Sequence, residues 1–554
     1  LAWLTGFTGS AGLAIVLPEA AAIFIDGRYT LQAKAQVDTV LYAQRHLTEQ
    51  PAAEFIAQNL KAGEVLGYDP WLLVPGEVER YRAAASRAGG TLKALASNPL
   101  DAIWKDRPEP PTAPAVAHAL EFAGKPSAEK RGELATQLKA AKVDAAVLTA
   151  PDSIAWLLNI RGGDVPYSPL ALSFAILHAD AAVDWFIDGR KVSAELARHL
   201  GKEIRIHAPA ELGEALSRLG AKKQRVQADP NSAAWIFDRL SESGAHIHRA
   251  ADPCLLPKAC KNPVELAGSR AAHRRDGAAL TRFLAWLAAE APKAKLAEIA
   301  ASDRLEEFRR GGEHFRGLSF PTISGAGANG AIVHYRAELA TERRLEPGNL
   351  YLVDSGAQYL DGTTDVTRTI AIGKPSPEMR DRFTRVLKGH IALARCRFPA
   401  GTTGSQLDAL ARRPLWEIGL DYDHGTGHGV GSYLGVHEGP QRISKIGNSQ
   451  KLLPGMIVSN EPGYYKAGAY GIRIENLVAV VECEAAEGGK PALGFETLTL
   501  APIDRALIAR DMLDAGEIAW LDAYHALVRR ELAPLLDAPT RDWLEAAARP
   551  LASA

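Results

Sequence analysis

Two aspartates, Asp354 and Asp365, lie eleven positions apart in VDSGAQYLDGTTDVTRT, residues 353–369, inside segments that otherwise read as β-strands. Three further stretches gather polar groups in apolar or glycine-rich surroundings. HGTGHGVGSYLGVHEGP, residues 424–440, carries His428 and His437 among glycines, which let backbone come close to a ligand. VSNEPGYY ends a strand-like run on Glu461 just before a Pro-Gly break, and IVHYRA adds His334. In GIRIENLVAV, alternation puts Arg473 and Glu475 on one face and Ile472 and Ile474 on the other. Singly, each group has an ordinary explanation: an aspartate capping a loop, a histidine in a turn, a surface ion pair. Together they do not. Four strand-borne carboxylates brought to one place without cations would repel one another and carry a large desolvation penalty. Two divalent ions would balance Asp354, Asp365, Glu461 and Glu475, and His428 would add a nitrogen ligand. Such an oxygen-rich set with one imidazole favours Mn²⁺, with Mg²⁺, Co²⁺ or Zn²⁺ as rivals, because affinity order alone does not select the metal.

The strands that must position these groups are legible from β-branched content and alternation in NLYLVDS and DVTRTIAI. Asp354 would share a face with Leu350 and Leu352, and Asp365 with Thr367 and Thr369. A tight turn at Asp361-Gly362 would set Asp365 opposite Gln358, whereas a reversal near Tyr359-Leu360 would bring the two carboxylates face to face. The sequence therefore predicts an irregular loop between the strands.

At 554 residues the chain exceeds one core, and at roughly 150 residues per domain it should hold about three or four. Hydrophobic residues at 47% and charged residues at 23% are ordinary for a globular protein and argue against disorder or a coiled coil. A net charge of −1 gives no global attraction to a phosphate backbone, so nucleic acid is not an expected partner. Cys254, Cys260, Cys396 and Cys483 form no CxxC pair, which fits a reducing compartment and structural thiols. No apolar run is long enough to span a bilayer, so a soluble cytoplasmic protein without membrane contact is expected. Leu1 falls directly inside a strand-like pattern with no Met before it, which leaves a missing leader open.

The proline cluster KDRPEPPTAPA, residues 105–115, reads as an exposed connector. A second boundary falls in ADPCLLPKACKNP, residues 251–263, ahead of a helical pattern from Val264 to about Leu287. The boundaries predicted are 1–108 and 115–252 for two α/β modules, 258–485 for a catalytic domain, and 490–554 for a helical extension suited to packing or dimer formation. The two modules share Ile-Asp-Gly-Arg between a strand and a helix, once from Ile25 and again from Ile187, as expected for two copies of one unit. From about Arg505 the tail reads as wholly helical, with Trp520, Tyr524, Leu527 and Trp543 at helical spacings.

IVHYRA, DSGAQYLDGTTDVTRT, GTGHGVGSYLGVHEGP, NEPGYY and GIRIEN resemble the pita-bread dinuclear metallopeptidases, and within them the three-domain Xaa-Pro aminopeptidases (aminopeptidase P). LAWLTGFTGSAGLAIV with DGRYTLQA, and DSIAWLLNIRGGDVPYSPL, are similar to that family's first and second domains, so the likeness covers nearly the whole chain. It implies an α/β and α+β multidomain protein: two creatinase-like modules, a pita-bread catalytic domain and a helical tail. Asp365 and Glu475 would bridge two metals, Asp354 would hold one, and His428 with Glu461 the other. The implied nucleophile is a hydroxide bridging the metals. Glu461 would take and pass on the proton, and one or both of His334 and His437 would hydrogen-bond the substrate carbonyl and oxyanion. Arg473 would hydrogen-bond a ligating carboxylate, Tyr465 would act with it in a proton relay, and Arg28 would reach the peptide. The substrates implied are peptides with proline second, cleaved before that proline in its trans form. A homodimer is expected.

Four other readings are weighed at this point. A prolidase would share the metal set but take only Xaa-Pro dipeptides. Methionine aminopeptidases generally lack the two upstream modules, and creatinase uses a related fold without metals. A non-catalytic peptide- or protein-binding member of the fold would have lost ligands, and here all five candidate ligands are present.

Overall fold

The computed structural model describes residues 1–485 and 487–551. The described chain forms two compact units: Leu1–His118, Lys125–Asp164 and Leu170–Leu255 in one, and Ala119–Gly124, Val165–Pro169 and the chain from Leu256 onward in the other.

Within the N-terminal unit the Asp-Gly-Arg repeat is built the same way twice. Asp26 Oδ1 accepts from the Arg28 backbone N–H at 3.0 Å and its Nε at 2.9 Å, and Asp188 Oδ1 accepts from the Arg190 N–H at 2.9 Å and its Nε at 3.1 Å. Each is an aspartate-capped turn leaving a strand. The strand before it pairs antiparallel on one side and parallel on the other in both copies: Ala21–Ile25 between Leu13–Val16 and Ala43–His46, Val183–Phe186 between Phe174–His178 and Ile204–His207. Each copy adds a parallel pair, Val65–Tyr68 with Thr91–Ala94 and Arg225–Ala228 with His246–Arg249. In the second copy Ala145–Leu148 joins the two halves into one six-stranded sheet. Among the described residues the first copy has no such strand, so its layers are a three-stranded and a two-stranded sheet.

The other unit pairs helices with antiparallel sheets twice over. Pro263–Glu290 and Glu298–Arg310 accompany the sheet Ile323–Ala326, Leu350–Ser355, Val366–Ala371. Pro377–Ala394 and Gly404–Trp416 accompany a six-stranded sheet that includes Gly427–Gly429, Ile457–Asn460 and Asn476–Cys483. The long first helix starts on a capping box, Asn262 accepting from the Val264 and Glu265 N–H groups while Glu265 accepts from Asn262 N–H, with Pro263 preset for the first turn.

The irregular loop expected after Asp354 is instead a tight hairpin. Asp354 faces Thr367 and Ser355 faces Val366, and beyond a short break Gln358 faces Thr363 and Tyr359 faces Gly362 in the same register. The turn residues are Leu360 and Asp361, one position earlier than an Asp-Gly reading suggests. Gly362 sits in a strand because a Cβ there would come within 3.1 Å of Ala272 Cβ and Ser269 Cα, so the glycine serves close packing against the long helix rather than the turn. Asp361 is held by Arg275.

The tail also departs from an all-helical reading. Ala492–Thr497 is a strand paired with Asn476–Cys483 in the catalytic sheet. Helices occupy Ala515–Leu532 and Ala538–Ala547, and between Arg505 and Asp514 there are only short 3₁₀ turns. Ile503, Leu507, Ile508 and Leu513 bury themselves in the same cluster as Ile472 and Ile474. Their spacing makes a strap wrapped over the core, not one helical face. The last three positions, 552–554, lie outside the described residues.

Candidate metal centre

Asp354 and Thr367 are cross-strand partners, so Asp365, two residues before Thr367, is the diagonal neighbour of Asp354 on the same face. Glu475 follows the strand Tyr470–Arg473 and reaches this face from the side: Thr367 Oγ1 donates to its Oε2 at 2.7 Å. Glu461 follows Ile457–Asn460, and Ser459 Oγ donates to its Oε1 at 3.0 Å. His428 sits in the short strand Gly427–Gly429 with Nε2 3.5 Å from both Asp365 Oδ2 and Glu461 Oε1. Ligand atoms of Asp365, His428 and Glu475 all fall within 4.8 Å of one another. All five expected ligands therefore converge.

Three observations fit this set to divalent cations. Asp354 Oδ1, Asp365 Oδ1 and Glu475 Oε1 are buried without a hydrogen-bond partner, a costly arrangement unless a cation takes them. Burial, followed by the charges of neighbouring carboxylates, pushes Asp365 and Glu475 well above the usual carboxylate range. Burial also raises Glu461 despite the pull of His428 and Arg473. Finally, His428 Nδ1 lies 2.9 Å from the Gly429 carbonyl and must donate to it, which turns the Nε2 lone pair toward the carboxylates. Metal-bound histidines are oriented in this way.

Around the carboxylates runs a chain of hydrogen bonds. Arg473 Nη2 donates to Asp354 Oδ2 at 2.6 Å, its Nη1 to Tyr465 Oη at 2.6 Å and its Nε to Thr367 Oγ1 at 3.1 Å. Burial works against the arginine's charge, but Tyr465, Asp354, Glu461 and Glu475 hold it above the ordinary range. Tyr465 Oη is 2.8 Å from His424 Nε2, and His424 Nδ1 is 2.8 Å from the Gly425 carbonyl. With Nδ1 donating, His424 Nε2 accepts from the tyrosine. Burial and then Arg473 lower the His424 pKa well below its ordinary value, which keeps the ring neutral, and burial raises Tyr465 to about 12.

His437 is exposed, with its ring 4.1 Å from that of His428 and nearly perpendicular to it. His334 is half-buried, and its charge contributes to the lowering of His424. Arg28 belongs to the N-terminal unit, where its guanidinium is 2.7 Å from Asp26.

Sequence reading missed His424, Thr367 and Arg368. The first was signalled by the repeated His-Gly in HGTGHG; Thr367 was placed on the right face but given no partner. Arg368 carries no local signal at all. Its guanidinium donates to the carbonyls of Thr367, Glu475, Ala501 and Pro502, to Asn476 Oδ1 and to Tyr524 Oη, tying the carboxylate-bearing strands to the tail.

A sheet pair that turns four carboxylates and an imidazole inward, with an arginine behind them, defines a metal-dependent hydrolase of the pita-bread type. The profile of metallopeptidase family M24 matches residues 267–482, that of its C-terminal region residues 491–551, and those of the creatinase/prolidase N-terminal domain residues 1–98 and 106–265. Aminopeptidase P2 of Arabidopsis thaliana is 42% identical across all of this chain and 83% of its own length. A probable Xaa-Pro aminopeptidase P of Paracoccidioides brasiliensis is 41% identical over 99% of this chain and 92% of its own. The crystal structure of an X-prolyl aminopeptidase from Caenorhabditis elegans, described as a cytosolic enzyme with a di-nuclear active site, superposes with a TM-score of 0.95 at 36% identity, covering 99% of this chain and 92% of that one. An Xaa-Pro dipeptidase from Bacillus anthracis reaches a TM-score of 0.55 at 26% identity over 68% of this chain. The chain belongs to metallopeptidase family M24, with two creatinase-type modules before the catalytic domain.

Proposed function

We propose that this chain is a metal-dependent aminopeptidase that removes the N-terminal residue from peptides whose second residue is proline. The observation that carries the reading is the buried carboxylate set with three unpartnered oxygens, in a chain alike over its whole length to Xaa-Pro aminopeptidases. Asp354, Asp365, His428, Glu461 and Glu475 would hold two divalent cations, with Mn²⁺ the metal favoured by the donor set. When bound, such a pair supplies Lewis acidity and a water of lowered pKa.

The remaining tasks fall to side chains. Glu461, whose basicity burial raises, is suited to accept a proton and deliver it to the departing proline nitrogen. That nitrogen bears no hydrogen in the peptide and must gain one to leave as a secondary amine. His334 and His437 would donate to the carbonyl oxygen as negative charge develops on it. Arg473 orients Asp354, and through Tyr465 and His424 the hydrogen-bond chain offers a route for moving a proton behind the carboxylates. Arg28 is assigned to peptide binding. A cytosolic homodimer completes the reading; among the described residues no helix is long and apolar enough to cross a membrane.

Product analysis tests this. A short peptide with proline second should release its first residue, a matched peptide without that proline should not, and Xaa-Pro-Xaa should be cut in preference to Xaa-Pro. Preference for the dipeptide would make the chain a prolidase, and release from the proline-free peptide alone would overturn the specificity.

A further inference from the structure

Val165–Pro169 lies between two segments of the N-terminal unit yet belongs to the compact unit that holds the carboxylates. Its first four residues form a turn: Ser168 N–H donates to the Val165 carbonyl at 3.2 Å, with Pro166 second and Tyr167 third. Tyr167 has φ +65°, a left-handed conformation that turns of this kind reserve for glycine or asparagine. A bulky residue held there costs stability, and such outliers gather at functional sites. The restraint is visible. The Gln358 side chain, 3% exposed, donates to the Tyr167 carbonyl at 3.0 Å and to the Leu434 carbonyl at 2.7 Å, while Thr363 Oγ1 donates to its Oε1 at 2.7 Å. One amide thus joins the turn to the hairpin bearing Asp354 and Asp365 and to the loop between His428 and His437. That loop contains a second left-handed tyrosine, Tyr433, at φ +49°. Tyr433 is buried, but Tyr167 keeps 39% of its surface exposed.

We propose that Tyr167 is a specificity-determining residue that contacts the peptide on the carboxyl side of the proline, and that Gln358 is the positioning residue that holds it there. This rests on the aminopeptidase reading. An enzyme that frees one residue encloses only that residue inward of the scissile bond, and the rest of the peptide runs out toward solvent. A half-exposed aromatic ring on a turn tied through Gln358 to the hairpin of Asp354 and Asp365 is suited to meet that outgoing chain, offering an apolar face and a hydroxyl to its backbone.

Tyr167→Gly removes the ring while suiting the left-handed backbone better, so its Tm should hold or rise. The KM for a hexapeptide with proline second should rise about five-fold, with kcat changed less than about two-fold, and the preference for hexapeptide over tripeptide should fall by the same factor. Tyr167→Phe, which keeps the ring, should retain most of that preference. Gln358→Met should lose the preference as Tyr167→Gly does, but with a lowered Tm. An unchanged preference in Tyr167→Gly at an undiminished Tm would overturn the proposal. If the unaltered chain released no residue from either peptide, the aminopeptidase reading itself would be at fault.

Discussion

Glu438, the residue after His437, accepts from two buried ammonium groups: Lys258 Nζ at 2.8 Å and Lys261 Nζ. All three side chains are about 1% exposed. The carboxylate anchors the loop that carries His437 to the segment entering the catalytic unit. Replacing Glu438 by a neutral amide takes a charged hydrogen-bond partner from two buried ammonium groups at once. Glu438→Gln should therefore destabilise the chain by about 3–5 kcal/mol, whereas Lys261→Met, which leaves one matched pair, should cost much less. Urea unfolding of the two variants checks this, and equal costs would contradict it. At this scale the sequence was most informative about the groups that need special chemistry. Five candidate ligands and Arg473 stand out because carboxylates in strand-like segments are hard to explain otherwise. His424, Thr367 and Arg368 escaped because their roles depend on partners distant in the chain, which no local pattern specifies.

The elements tell a similar story with different errors. The strands carrying Asp354 and Asp365, the helix from Pro263 and the repeated Asp-Gly-Arg turn were readable from alternation, capping residues and composition. The hairpin register was not. Asp-Gly is a strong turn signal, but here the glycine answers to the helix packed against it, a tertiary demand that outweighs the local preference. The tail was likewise read as helix, because apolar residues at mixed spacings in 503–513 give no warning that they wrap a core. Within the tail helix Ala515–Leu532, His525 is fully buried, and its Nε2 accepts from the Ile503 N–H at 3.1 Å. Burial lowers its pKa to about 3, far below the ordinary value of 6.5. Above that ordinary value the ring is neutral in folded and unfolded chains alike. As the pH falls through it, the unfolded chain gains a proton that the folded chain refuses, so stability is lost by up to about 1.4 kcal/mol per pH unit, continuing toward the folded value. His525→Gln should flatten the dependence of the urea midpoint on pH between neutrality and mild acid. A slope identical to the parent's would remove His525 from the account.

Across the whole molecule, the site depends on segments from residue 354 to 475 meeting in one place, and on the tail that Arg368 fastens behind them. Composition could exclude coiled coil and disorder, and motif spacing could suggest a charge-balanced centre. Neither could reveal that the tail's Tyr524 hydroxyl accepts from the same arginine that reaches the Glu475 carbonyl. The separate, double construction of the N-terminal unit was legible from one repeated tetrapeptide, because an aspartate-capped turn leaves the same mark wherever it is used. The central claim is electrostatic: these carboxylates tolerate one another because cations neutralise them. Its most direct test is the number of divalent ions bound by the purified full-length chain, by equilibrium dialysis against Mn²⁺ followed by elemental analysis. The account predicts close to two ions per chain in the parent and a clear loss in Asp365→Asn. A parent that retains none at saturating Mn²⁺, while still releasing N-terminal residues before proline in the presence of chelator, would contradict it.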